Sequence, residues 1–178
     1  MNRKIFMTIS AIFLISAILA TPALASKPVE VTGSFTVDIF AITTTPIIGP
    51  VGTVPITVNQ LTGEDCFTFT GDISGSASYS ARWVYHAGFS DPDSFITHTG
   101  YYIFEDATVS VDDVTATGGL ILKAAGNGQH EAGIWRVISS DLVIQGTEEP
   151  IRLQGQGEFL VTEVLGAYDI VGQLHFDP

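Results

Sequence analysis

The sequence predicts an all-β chain closing into a single antiparallel β-barrel of about eight strands, on three observations. Apolar and polar residues alternate two by two through most of the chain after its first segment, turn chemistry interrupts the runs at short intervals, and glycines fall inside the runs.

The alternation is plainest in three places. Phe35, Val37 and Ile39 alternate with Ser34, Thr36 and Asp38; Ala77, Tyr79, Ala81, Trp83 and Tyr85 with Ser76, Ser78, Ser80 and Arg82; Tyr168, Ile170, Leu174 and Phe176 with Asp169, Gln173 and His175. Successive side chains of a strand point to opposite faces, so each series gathers its large apolar groups on one side, as in an antiparallel sheet with one dry face. Turns are expected at Asn127-Gly128, whose residues accept the positive φ of a type I′ hairpin, and at Asp91-Pro92-Asp93. Thr62-Gly63-Glu64-Asp65, Asp112-Asp113 and Thr147-Glu148-Glu149-Pro150 give three more. The segment TTTPIIGPVGTVP, with prolines 46, 50 and 55, suits a loop or an edge strand, because proline cannot donate to a ladder on both sides. Glycines 71, 75, 100, 118, 119, 133, 155, 157 and 172 weaken a flat sheet but serve the bends and close approaches of a sheet that closes on itself, which favours a barrel over a sandwich.

The chain begins with Arg3 and Lys4, an apolar run from Ile5 to Ala20, and then Pro22 and Ala23-Leu24-Ala25. These are the three regions of a secretory signal peptide, and the run is short of the roughly 20 residues of a bilayer span. The expected division is therefore a signal peptide, 1–25, and one β-barrel domain, 26–178, secreted into a periplasmic or extracellular space, with no membrane span after cleavage. Removing Arg3 and Lys4 leaves five basic side chains against nineteen acidic ones, a net charge of −14. Such a surface lacks the clustered cations that nucleic acid and anionic membranes require. Cys66 is the single cysteine, which excludes an internal disulfide and suggests a small buried hydrophobe within CFTF.

The motifs FTFTGDISGSASY, FITHTGYYIFEDATV, GGLILKAAGNG, IRLQGQGEFLV and GAYDIVGQLHFD, spread over residues 29 to 177, resemble a group of small bacterial domains of unknown function that are similar to allene oxide cyclase. The resemblance implies an eight-stranded, calycin-like antiparallel barrel with an apolar interior, and an isomerase- or cyclase-like activity if the protein is an enzyme. It assigns no catalytic residue here, and no cofactor.

For the site, the aromatic residues Tyr79, Trp83, Tyr85, Tyr101 and Trp135 are the candidates to line a cavity for a small apolar molecule. The same rings could instead be the packed filling of a small barrel, leaving a non-enzymatic envelope or extracellular protein that meets partners through its acidic surface. The stretch RWVYHAGFSDPDSFITHTGYYIF, dense in rings and histidines, reads as two strands and a turn. His86 and His175 fall on polar faces, while THTGYYIF carries bulky groups at both parities and leaves His98 unassigned. Parity sets Arg136 with His130 and Trp135 with Glu131. No metal centre is indicated, because no two histidines share a strand face; acidic turns at Asp91/Asp93 and Asp112/Asp113 offer at most a loose calcium site.

Overall fold

Nine strands and one short 3-10 turn make up the computed structural model, which describes residues 27–48, 56–87, 95–128, 133–164 and 166–177. The strands are β1 (Val29–Val37), β2 (Thr43–Ile48), β3 (Thr57–Gly71), β4 (Ile73–Tyr85), β5 (Ile96–Val111), β6 (Val114–Gly128), β7 (Gly133–Ile144), β8 (Pro150–Val161) and β9 (Ala167–Asp177). Each pairs antiparallel with its neighbour in the order β1-β9-β8-β7-β6-β5-β4-β3-β2, and a further β1–β3 ladder closes the ring. Eight strands thus form a closed barrel. The ninth, β2, shares the edge of β3 with β1: β1 takes Phe67 to Gly71, and β2 takes Val58 to Thr62. The proline-bearing segment is the edge strand its composition requires, pairing on one side only, as far as Ile48; Pro50 and Pro55 lie outside the described residues.

The alternation read from the sequence is the alternation of inside and outside. Along β4, Ala77, Tyr79, Ala81 and Tyr85 are buried, and Arg82 between them is exposed. Along β9, Ile170, Leu174 and Phe176 are buried while Asp169 is exposed. Toward the end of the barrel where β3 turns into β4, the interior is filled by Ile73, Val109, Leu120, Leu122, Leu142 and Leu174, all fully buried. Cys66 is buried too, and burial pushes its thiol pKa up, away from thiolate chemistry.

Two expected turns are something else. Thr62-Gly63-Glu64-Asp65 lies inside β3 and forms a bulge: the β3–β4 register shifts between Gly63 and Phe67, and Asp65 takes a φ of 45°. Three polar residues with one glycine look like a reversal, but the ladder on either side carries the chain through, and the two extra residues on β3 add bend and twist. Asn127-Gly128 lies inside β6, because β5 reaches back to Ile96 and keeps pairing with β6 as far as Gly128. The β6–β7 hairpin does exist, and its reversal falls beyond the described residues. Asp112-Asp113 is a turn as expected, with Asp112 at φ 51°, a left-handed conformation that aspartate tolerates. The signal-peptide segment, His130, Glu131 and the Asp91-Pro92-Asp93 turn lie outside the described residues.

Gly157 and Gly172 face each other across β8 and β9, and Trp135 on β7 is in register with Gly157. A methyl group added at Gly157 would stand 2.7 Å from Trp135 Cζ2, and one at Gly172 only 2.5 Å from the same atom. The paired glycines are thus a socket for the indole. Gly157→Ala should destabilise the protein by about 1–3 kcal/mol by overpacking, lowering the midpoint of thermal unfolding by several degrees. An unchanged midpoint would mean that the indole and the β9 backbone at Val171 and Gly172, which the methyl also meets, give way at no cost.

Candidate functional site

At the other end of the barrel the described side chains leave space. A cavity of about 320 Å³ lies there, at the low end of the range for small-molecule sites. Phe35, Phe67, Tyr79 and Tyr102 line it, as do Leu61, Trp83, Tyr85, His98, Phe159 and Tyr168, together with Val37, Ile39, Ile42, Thr44 and Gly166. The 3-10 turn Ile39–Ala41 brings Ile39 and Ile42 to it. The Asp38 side chain caps that turn by accepting from the Phe40 amide at 3.0 Å, and the Asp38 amide donates 2.8 Å to Cys66 O in the bulge of β3. The bulge therefore has a function in the wall: it receives the turn that supplies this part of the lining. The β8–β9 connection is tied to the same place, with the Val37 amide donating to Gly166 O at 2.9 Å.

Phe35 stacks on Tyr168 at a centroid distance of 4.7 Å and on Phe69 at 4.8 Å, and meets Phe67, Tyr102 and Phe159 at 5.6 to 6.3 Å. Tyr79 stacks on Tyr102 at 5.2 Å. Tilted and edge contacts of this kind hold the rings in fixed orientations. Trp83 is held from its own strand. Four residues apart on one face, Trp83 Nε1 donates to the Tyr79 hydroxyl at 3.0 Å.

His98 is a buried ionisable group in this wall. The ladders set it between Trp83 on β4 and Gly126 on β6. Its ring stacks on Trp83 at 5.2 Å and 24° and lies 5.8 Å from Phe159. It is 6% exposed, and burial alone lowers its pKa to about 4, so the imidazole is neutral at physiological pH. Neutral imidazole offers one donor and one acceptor nitrogen, and no hydrogen bond to either is found among the described residues.

The structure brings Tyr79, Trp83 and Tyr85 together on the cavity wall. It does not bring the other two aromatic candidates there. Tyr101 is on the outer face, 38% exposed, because β5 turns Gly100 and Tyr102 inward. Trp135 is buried in its glycine socket, with Nε1 donating to Glu158 O at 3.1 Å, and does not line the cavity. Sequence reasoning left out Phe35, Phe67, Tyr102, Phe159 and Tyr168. For Phe35 and Tyr168 a signal existed in the alternation of their strands. His98 could be identified only through its pairing with Trp83.

Other depressions are less suited to a ligand. One of about 740 Å³ is a groove at the break in the β7–β8 register, lined by Arg136, Arg152, Gln154, Gln156, Gln173 and His175 among others. It is polar and lacks aromatic side chains. Among the described residues no group of three His, Cys, Asp or Glu converges, so Asp112 and Asp113 stand without a third acid. No helix among the described residues is long and apolar enough to cross a membrane. No protein-family model matches the chain, and a search of curated proteins finds no match.

Proposed function

We propose that this protein is a secreted barrel that binds a small, mostly apolar molecule in the aromatic cavity at the open end. The single observation behind this reading is an interior half filled with aliphatic side chains and half left as an aromatic-walled space with a neutral histidine in it. A barrel of this size can fill itself with side chains. Leaving about 320 Å³ unfilled forfeits dispersion contacts along the whole lining, a cost that a bound molecule removes. The likeness of the strand motifs to bacterial domains similar to allene oxide cyclase agrees with an apolar ligand, as does the apolar leader before Ser26 with a site of action outside the cytoplasm. If the protein turns its ligand over, catalysis would come from holding a flexible molecule in a near-attack shape, and a cyclisation is the reaction such a wall serves.

The test is a titration with N-phenyl-1-naphthylamine, a compact apolar dye that brightens on leaving water. The wild type should bind it saturably, one per chain. Trp83→Ala and Tyr85→Ala should weaken binding about tenfold or more, equal to ~1.4 kcal/mol, with folding retained. Binding unchanged in both variants would remove the cavity from consideration.

A further inference from the structure

Resting on the reading that this cavity is a binding site, the lining also says what kind of molecule it takes. Among the described residues no lysine, arginine, aspartate or glutamate lines it. The polar groups of its side chains are the His98 imidazole, kept neutral near pH 7 by burial, the tyrosine hydroxyls, the Trp83 indole N–H and the Thr44 hydroxyl. A carboxylate or ammonium moved from water into such a wall loses its hydration and finds no opposite charge. An uncharged molecule does not meet this penalty. At the same time the wall is not wholly apolar, since His98 is buried with no hydrogen bond to its ring nitrogens among the described residues.

A second polar group lies in the same cross-strand row. Asn59, Trp83 and His98 are consecutive partners across β3, β4 and β5. Asn59 has the inward parity of Leu61, is 3% exposed, and its Oδ1 has no hydrogen-bond partner among the described residues. Buried polar atoms are nearly always paired, so the unpaired Asn59 Oδ1 marks this row as incompletely satisfied. Of this row Trp83 and His98 line the cavity, so a ligand oxygen placed there meets the His98 imidazole.

We propose that the cavity selects an uncharged, predominantly apolar molecule with one hydroxyl or carbonyl group, that this oxygen is hydrogen-bonded by His98, and that the corresponding carboxylate is rejected. The tyrosine-rich floor takes the hydrocarbon part, and Trp83 packs along it beside the polar end.

Displacement of N-phenyl-1-naphthylamine by 1-decanol and by decanoate, both at pH 8, tests this without any mutation. Decanol should displace the dye at concentrations at least about tenfold lower than decanoate. Equal displacement, or stronger displacement by decanoate, overturns the ligand class while leaving the cavity as a binding site. A wild type that binds no dye overturns the binding reading and this inference with it. The role of His98 has its own readout. His98→Phe should weaken decanol about five- to tenfold, the usual worth of one buried hydrogen bond, and His98→Gln, which retains a donor and an acceptor, should stay within about threefold of wild type. If Phe and Gln variants bind decanol alike, the hydrogen bond is not made by His98.

Discussion

Replacing Phe35 with alanine is expected to cost about 3–5 kcal/mol and to lower the thermal midpoint by roughly 10 °C or more. Phe35 is 2% exposed and touches five other rings, drawn from β3, β5, β8 and β9. It therefore joins β3 and β5 to β8 and β9, with which they share no ladder, and its loss leaves a hole that the closed sheet cannot collapse to fill. A comparison inside the same chain isolates the cause. Phe40, five positions later, is 94% exposed, and Phe40→Ala should change stability by no more than about 0.5 kcal/mol. Chemical denaturation of the two variants checks both values. A Phe35→Ala loss under about 1 kcal/mol would show that the aromatic cluster is not the structural floor of the cavity.

The second large effect is acid sensitivity from one buried imidazole. His98 has a folded-state pKa of about 4 against an ordinary 6.5, with burial as the cause. Between those values the unfolded chain takes up a proton at this position and the folded chain does not. Stability therefore falls as pH drops from 6.5 toward 4, and His98 contributes no slope above that window. At 1.36 kcal/mol per pH unit the loss from this residue reaches roughly 3 kcal/mol at the lower limit. His98→Phe should lose less stability than wild type over the same interval, by about that amount. Taking the difference between the two proteins cancels the acidic side chains that both carry. Parallel stability curves for the two, measured by urea unfolding from pH 7 to 4, would mean that His98 is solvated in the folded state.

Strand positions and strand faces were legible in the sequence because a two-residue period is a local property, fixed by pleat geometry. Tyr79, Trp83 and Tyr85 could be placed on one face for that reason. Bends were harder to read. Thr62-Gly63-Glu64-Asp65 has the composition of a turn and is a bulge, and only the neighbouring ladders decide between them. The glycines at 157 and 172 suggested curvature, yet their missing side chains also make room for Trp135, which belongs to a third strand. Adjacent Tyr101 and Tyr102 show the limit of parity in a run of bulky residues: one is outside and the other is in the cavity floor, and the register of β5 on β4 makes the choice. His98 was illegible for the same reason. Its neighbours in sequence are threonines, whereas its character comes from Trp83 and Phe159, brought to it by non-local pairing.

A crystal structure of the protein grown with N-phenyl-1-naphthylamine tests whether the aromatic space at the open end receives a ligand. The dye is predicted to lie inside the barrel between Trp83, Tyr85 and Phe159, over the floor made by Phe35 and Tyr102. Dye found only on the outer surface, with those side chains turned in to close the space, would contradict the account.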